Sequence, residues 1–165
     1  MKKIAFLDRD GVINRKAPEH QYIEKVDDFI LNEGIISVLH FLQKEGYEFI
    51  VITNQRGVAR GLYSLETLKK IHDHMQTILN HNNIRILGVF FCPHENNTCD
   101  CRKPKPGMLR DSCKLYELDL NESLLISDSE EDVAMGKKFG IGSNYLVTSD
   151  KPEEFLCQYK CNKSL

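Results

Sequence analysis

The sequence predicts a doubly wound α/β fold, with a mainly parallel sheet and helices on both of its faces. Short apolar runs alternate along the chain with longer segments in which apolar residues recur at helical spacing. The runs are continuous rather than alternating, as expected for parallel strands that are covered on both faces. Strands and helices that alternate in this way form a Rossmann-like sheet, whose ligands bind beyond the carboxyl ends of the strands.

Five short apolar runs are predicted as strands, at residues 4–7, 49–52, 87–91, 124–126 and 145–147. Helical patterns lie between and after them, at residues 35–45, 64–79, 106–116, 130–139 and 152–159. Gly46 and Gly140 are natural C-terminal stops for the first and fourth helices. Ser64 caps the second helix and Pro106 opens the third. The apolar stripes of these helices are expected to form the core.

The composition predicts one globular domain that spans residues 1–165. The chain is 41% hydrophobic and 28% charged, with 10 Gly and 5 Pro, which argues against disorder and long linkers. Its net charge of -2 gives no general field that would attract nucleic acid or an anionic membrane. The first apolar run is short and ends at charged residues, so we expect a cytoplasmic monomer without a membrane or nucleic-acid partner.

Polar side chains follow the predicted strands at their carboxyl ends. The first strand runs directly into Asp8 and Asp10, and residues two apart in an extended segment point to the same side. We therefore expect both carboxylates to face one pocket. Further polar groups follow the next three strands, in the segments 53–55, 92–94 and 127–129.

Clustered carboxylates at this edge predict a cation. Asp8, Asp10 and Asp128 would repel one another, and a bound cation or a shared proton relieves such repulsion. Mg²⁺ suits hard oxygen ligands and commonly binds one or two carboxylates together with a substrate phosphate. Thr53 adds a hydroxyl and Lys103 a positive charge. Each piece alone is weak, but their order and strand-end placement together predict a phosphoryl-transfer site.

These residues resemble the four motifs of the haloacid dehalogenase superfamily of phosphatases. The motifs are matched by residues 6–14, 53–55 and 102–104, and by Asp128 with Asp132. The resemblance covers about residues 4–147. Within the superfamily, the segments 53–61 and 92–108 resemble the D,D-heptose 1,7-bisphosphate phosphatases. The related histidinol-phosphate phosphatases share the first motif and the cysteine loop.

The resemblance implies a role for each motif residue. Asp8 would be the nucleophile that forms an aspartyl-phosphate, and Asp10 the general acid and base. Mg²⁺ would be held by Asp8, Asp10 and Asp128. Thr53 and Lys103 would hold the transferring oxygens. The contacts to the rest of the substrate would come from Asn54, Gln55, Arg56 and Arg102, with His20 to Tyr22 as further candidates.

A cysteine-rich loop follows the third predicted strand. The interval between Asp10 and Thr53 is too short for a large helical cap domain, so this loop is the main insertion over the site. Its spacing, Cys92-x-His94-x₄-Cys99-x-Cys101, matches a closed tetrahedral zinc site that would staple the loop. The alternatives are a redox dithiol at the last two cysteines, or a packed histidine beside unrelated thiols.

Some residues depart from the family pattern and bear on the substrate. Ser127 stands where a glycine is usual, Ser129 where a lysine is frequent and Arg56 where a serine is common, and the cysteine loop is short. We expect hydrolysis of the 7-phosphate of D-glycero-D-manno-heptose 1,7-bisphosphate. The alternative substrate is histidinol phosphate.

Two other functional classes share some of these features. A phosphoryl-accepting signalling domain also combines an α/β sheet with clustered aspartates, but the second aspartate of this chain supplies a base that hydrolyses a phosphoaspartate. A zinc-dependent nucleic-acid module would use the cysteine loop and the basic segment 102–105. One short basic run in a chain of net charge -2 is a weak electrostatic footprint for that role.

Overall fold

The computed structural model describes residues 1–163, which contain a five-stranded sheet in the order β3-β2-β1-β4-β5. The strands are β1 (Ile4–Leu7), β2 (Glu48–Asn54), β3 (Ile86–Cys92), β4 (Leu124–Ser127) and β5 (Ser143–Leu146). Every pair of neighbouring strands is parallel. The chain begins at the central strand, moves to one edge and then crosses to the other, as a doubly wound sheet does.

Within residues 1–163, five α-helices connect or follow the strands. They are α1 (Ile35–Lys44), α2 (Leu65–His81), α3 (Gly107–Leu115), α4 (Glu130–Phe139) and α5 (Glu154–Lys163). α2 begins as predicted, because the Ser64 hydroxyl accepts a 3.0 Å hydrogen bond from the Thr67 amide. α4 ends as predicted at Gly140, which has a φ of 97° and so adopts the left-handed conformation that glycine tolerates.

The helices cover both faces of the sheet, and alternate strand residues supply two cores. Leu7 and Val51 join the core beneath α1, α2 and α5, whereas Phe6 and Ile52 join the core beneath α3 and α4. The central strand β1 is buried along its whole length. The polar residues that follow it therefore extend from a buried strand that has neighbours on both sides.

The structure differs from the sequence prediction at the sheet edges and in the last helix. β3 and β5 are only partly buried, because each has a neighbour on one side. β5 begins at Ser143 rather than at residue 145. The prediction began too late because Ser143 and Asn144 are polar and do not belong to the apolar run. α5 covers Glu154–Lys163 rather than 152–159. A 3₁₀ helix at Val26–Asp28 was not predicted, because three residues carry no periodicity.

Within residues 1–163, no helix combines the length and the apolar character that a membrane crossing requires.

Candidate active site

A cleft of about 430 Å³ opens at the carboxyl ends of the strands, where the sequence predicted the site. It contains the predicted catalytic and magnesium residues Asp8, Asp10, Thr53, Lys103 and Asp128. It also contains the predicted substrate residues Asn54, Gln55 and Arg102, together with His20, Gln21 and Tyr22. Arg56 is not among the residues that line the cleft, so its predicted direct contact with substrate lacks support from its position.

Lys103 lies between two carboxylates on the floor of the cleft. Its Nζ is 3.0 Å from Oδ1 of Asp8 and 2.6 Å from Oδ2 of Asp132. The Ser127 hydroxyl donates to Oδ2 of Asp132 at 2.8 Å and lies 3.3 Å from Oδ2 of Asp8. The serine that departs from the family glycine therefore joins this network through its side chain.

Burial and charge shift the pKa values of this network. Burial, together with the charge of Asp132, raises the pKa of Asp8 to about 6 against the opposing effect of the Lys103 charge. Burial alone would lower the pKa of Lys103, but the charges of Asp8 and Asp132 raise it to about 12. Lys103 is therefore a permanent cation beside a carboxylate whose ionised form needs stabilisation.

Asp10 is held by donors on both of its carboxylate oxygens. Oδ1 accepts hydrogen bonds from Arg9 Nη2 at 2.8 Å and from Asn14 Nδ2 at 2.9 Å. Oδ2 accepts from Gln55 Nε2, also at 2.9 Å. Burial would raise the pKa of Asp10, but the Arg9 charge and these hydrogen bonds together lower it. The same Gln55 amide also lies 2.8 Å from the Thr53 hydroxyl, so it connects two predicted catalytic residues.

Asp128 lies deep in the cleft and is paired with a lysine. The Lys16 Nζ is 2.7 Å from Oδ2 of Asp128, whose side chain is 2% exposed. A Cβ at Gly11 would lie 2.3 Å from the same Asp128 oxygen, so only glycine fits between the first motif and this carboxylate. Asp8 and Asp128 therefore offer the hard oxygen donors that Mg²⁺ prefers, and the Lys16 ammonium shows that this corner of the cleft accommodates a cation.

A cluster of exposed or half-buried polar side chains, which we call the outer wall and define as Tyr22, Arg56, Arg60 and Glu95, lies next to the cleft; Tyr22 lines the cleft, and the other three do not. Nη1 of Arg56 and Nε of Arg60 each lie 3.2 Å from a different oxygen of Glu95. Arg56 Nε also donates to the Tyr22 hydroxyl at 3.4 Å. Arg56 thus braces the loops around the cleft through Glu95 and Tyr22.

Asn54 and Arg102 differ in how far their polar atoms are engaged. The Asn54 side chain binds the main chain of Lys103 twice, at 3.0 Å to its amide and 3.1 Å to its carbonyl. Within residues 1–163, Nη1 of Arg102 is buried and has no hydrogen-bond partner. A buried guanidinium donor without a partner is costly, and an anionic ligand in the cleft would satisfy it.

The four predicted zinc ligands converge. One ligand atom from each of Cys92, His94, Cys99 and Cys101 lies within 4.8 Å of the others. Nδ1 of His94 is 3.2 Å from Cys101 Sγ, and Cys92 Sγ is 3.5 Å from Cys99 Sγ. Zinc with its usual bond lengths requires ligand atoms roughly 3.5 to 3.8 Å apart, so the group needs little adjustment to hold the ion.

Sequence reasoning missed several partners in the site. The sequence did not indicate that Lys16 would lie in the site, because a single lysine in a polar loop is usually solvated. The sequence analysis assigned no role to Arg9, which is 1% exposed in the fold. Asp132 was assigned to the fourth motif, but its ion pair with Lys103 was not predicted. These pairs join distant parts of the chain, and only the folded topology reveals them.

Comparisons with known proteins agree with the motifs and the geometry. Residues 3–140 match the family model described as polynucleotide kinase 3 phosphatase. The chain is 39% identical over 158 residues to the D-glycero-alpha-D-manno-heptose-1,7-bisphosphate 7-phosphatase of Photorhabdus laumondii, covering 91% of this chain and 85% of the relative. It is 37% identical over 159 residues to the D-glycero-beta-D-manno-heptose-1,7-bisphosphate 7-phosphatase of Pasteurella multocida, covering 92% and 85%.

A solved structure has the same architecture. The D,D-heptose 1,7-bisphosphate phosphatase from B. bronchiseptica, complexed with magnesium and phosphate, aligns with a TM-score of 0.82 at 34% identity. The alignment covers 96% of this chain and 87% of that structure. The chain therefore belongs to the haloacid dehalogenase superfamily of phosphatases, in the family of the D,D-heptose 1,7-bisphosphate phosphatases.

Proposed function

We propose that this protein is a Mg²⁺-dependent phosphatase that removes the 7-phosphate of D-glycero-D-manno-heptose 1,7-bisphosphate through an aspartyl-phosphate on Asp8. The observation that carries the mechanism is the carboxylate of Asp8 in an open cleft, 3.0 Å from the buried ammonium of Lys103. The names of the relatives support the substrate.

In the first step, an oxygen of Asp8 attacks the phosphorus atom, and the bond from phosphorus to the sugar oxygen breaks. Lys103 stabilises the negative charge on the transferring oxygens, and the Thr53 hydroxyl donates a hydrogen bond to them. Asp10 gives a proton to the leaving sugar oxygen. A bound phosphate adds negative charge near Asp10, which favours its protonated form over the ionised form of the empty cleft.

In the second step, water attacks the phosphorus atom of the aspartyl-phosphate, and the bond to Asp8 breaks. Asp10, now ionised, accepts the proton of that water. The products are inorganic phosphate and a regenerated Asp8 carboxylate, so protons balance over the cycle. This division of one displacement into two steps is the benefit of a covalent intermediate.

Magnesium fits the donor set of the cleft. As the family resemblance implies, the ligands would be the carboxylates of Asp8 and Asp128 and the main-chain carbonyl of Asp10, while the Asp10 side chain, which Arg9 and Gln55 hold, serves as acid and base. When bound, the ion neutralises charge so that an anionic nucleophile can approach an anionic phosphate. Asp132 would support this arrangement by pairing with Lys103, whereas Mg²⁺ would replace the Lys16 ammonium beside Asp128.

Zinc in the cysteine loop would have a structural role. All four positions would be filled by Cys92, His94, Cys99 and Cys101, which leaves no open position for chemistry. Arg102 and Lys103 follow directly after the last ligand. A metal that orders the loop would therefore fix the position of both cations relative to the cleft.

The test is phosphate release with Mg²⁺ from the heptose bisphosphate and from histidinol phosphate at matched low concentration. We expect a large preference in kcat/KM for the heptose, because a second phosphate can pair with Arg102. Both anomers of the heptose substrate should be compared, since the relatives include enzymes named for each. A preference for histidinol phosphate would contradict the proposed substrate.

A further inference from the structure

One buried, charged side chain on the floor of the cleft, that of Arg9, has no part in the mechanism described so far. Arg9 lies between the nucleophile and the acid in sequence and is 1% exposed. One edge of its guanidinium, Nε and Nη2, contacts Oδ1 of Asp10 at 3.3 and 2.8 Å. Its other terminal nitrogen, Nη1, lies 3.1 Å from Nε2 of His72.

The contact with His72 defines the state of the imidazole. A guanidinium has five donors and no acceptor, so Nε2 of His72 must be the acceptor and its proton must reside on Nδ1. Burial and the Arg9 charge together lower the pKa of His72 to about 3. His72 is 5% exposed, and its ring packs against Phe91 with 5.7 Å between centroids.

His72 has no direct access to a bound substrate. It belongs to α2, on the buried stripe of that helix, and it is not among the residues that line the cleft. Its influence on the reaction must pass through Arg9. A neutral acceptor at this point satisfies Nη1 and leaves Nε and Nη2 free for Asp10.

The two oxygens of Asp10 are consequently unequal. Oδ1 accepts from Arg9 and Asn14, whereas Oδ2 accepts one hydrogen bond, from Gln55. A carboxylate oxygen with a single donor retains a lone pair that can bind a proton. Oδ2 is therefore the oxygen suited to proton transfer, provided that Arg9 holds the other one.

We propose that His72 is a positioning residue which, by accepting a hydrogen bond from Arg9, orients the guanidinium so that Asp10 presents Oδ2 to the leaving group. This inference rests on the proposed function, in which Asp10 is the acid and base. Without the acceptor, Nη1 of Arg9 is a buried donor with no partner, and the guanidinium rotates to find one. The carboxylate of Asp10 then loses its alignment.

The test compares His72→Leu, which removes the acceptor, with His72→Gln, which restores one. The heptose bisphosphate has a poor alkoxide leaving group, which needs a proton from the acid. For this substrate we expect His72→Leu to lower kcat/KM about tenfold with little change in KM. That loss is a fraction of the roughly 10² to 10⁴-fold that acid catalysis contributes. For para-nitrophenyl phosphate, whose leaving group needs no proton, the loss should be less than about twofold. His72→Gln should recover most of the activity.

A matched control is His40→Leu, because His40 Nε2 contacts the Asn82 carbonyl at 2.7 Å outside the cleft. It should leave the ratio of the two substrates unchanged even if it lowers thermal stability. Equal losses for both substrates in His72→Leu, or a failure of His72→Gln to recover activity, would overturn the inference. Inactivity of the unmodified enzyme toward both phosphates would instead contradict the proposed function.

A second measurement does not depend on turnover or on folding of a variant. Nitrogen NMR of the unmodified protein should show His72 neutral at pH 7, with its proton on Nδ1 and Nε2 bare. Protonation of Nε2 would overturn the proposed hydrogen bond from Arg9. This measurement tests the contact between Arg9 and His72 whether or not the enzyme hydrolyses the heptose bisphosphate.

Discussion

The floor and the outer wall of the cleft are built from similar charged residues but held in different ways. On the floor, the side chains of Lys103 and Asp132 are 4% and 6% exposed and form an ion pair at 2.6 Å. On the outer wall, Glu95 is 43% exposed and connects two arginines across loops. Charges interact strongly in the buried floor and weakly in the solvated wall. The ion pairs of the floor therefore interact more strongly than those of the wall, and the groups assigned to the reaction lie on the floor.

The largest effect should follow a change at the centre of the floor. Asp8→Asn should lower turnover by at least about 10³-fold, because the amide cannot act as the nucleophile. The fold should persist, since the amide oxygen still accepts a hydrogen bond from Lys103. Phosphate release and circular dichroism measure the two properties. Asp111→Asn, which alters an exposed aspartate on α3, is the control and should remain fully active; substantial turnover by Asp8→Asn would contradict the assignment.

The zinc loop joins the floor to the wall, so its loss should affect both. Cys99→Ser should release about one zinc per chain and lower kcat/KM for every phosphate ester, because Arg102 and Lys103 lose their anchor. Metal analysis and a thermal unfolding curve provide the measurements. Cys113→Ser, at a half-buried thiol outside the cluster, should retain the metal. An active, stable protein that contains no zinc would refute the structural role.

A change at Arg102 separates recognition from chemistry. Arg102→Gln should lower kcat/KM for the heptose bisphosphate by roughly 10 to 100-fold, which is the worth of one or two charge-assisted hydrogen bonds. Activity toward para-nitrophenyl phosphate, which has no second anion, should fall far less. Parallel losses for both substrates would assign Arg102 to the reacting phosphate instead.

The smallest effect should come from the wall itself. Glu95→Gln weakens two exposed ion pairs, and each is worth about 0 to 1 kcal/mol. We expect KM for the heptose bisphosphate to change by less than about fivefold, with kcat unchanged. The difference from the unmodified enzyme should shrink at high salt, because salt screens exposed charges. A change in kcat that persists at high salt would contradict this division between floor and wall.

The same division explains what the sequence could predict. Asp8 and Asp10 were predicted to share a pocket because a short buried strand precedes them, and the period of two along a strand is a local property. The zinc cluster was predicted because four ligand types fall within one short loop. In each case the relevant residues are neighbours in the sequence.

The remaining contacts depend on tertiary structure. The pairs Arg9 with His72 and Lys16 with Asp128 join residues that are 63 and 112 positions apart. Neither pair has a distinctive local pattern, because isolated charged residues are usually solvated. The ion pair of Arg56 was not predicted for a related reason, since its partner Glu95 belongs to a different loop.

The most direct test of the account is to trap the covalent intermediate on Asp8. In Asp10→Asn, para-nitrophenyl phosphate should still phosphorylate Asp8, because nitrophenolate leaves without a proton, whereas hydrolysis should be slow without the base. Borohydride reduces an acyl phosphate to the alcohol, so mass spectrometry should find homoserine in place of Asp8. A burst of nitrophenol with residue 8 unchanged, or modification of a different residue, would contradict the account.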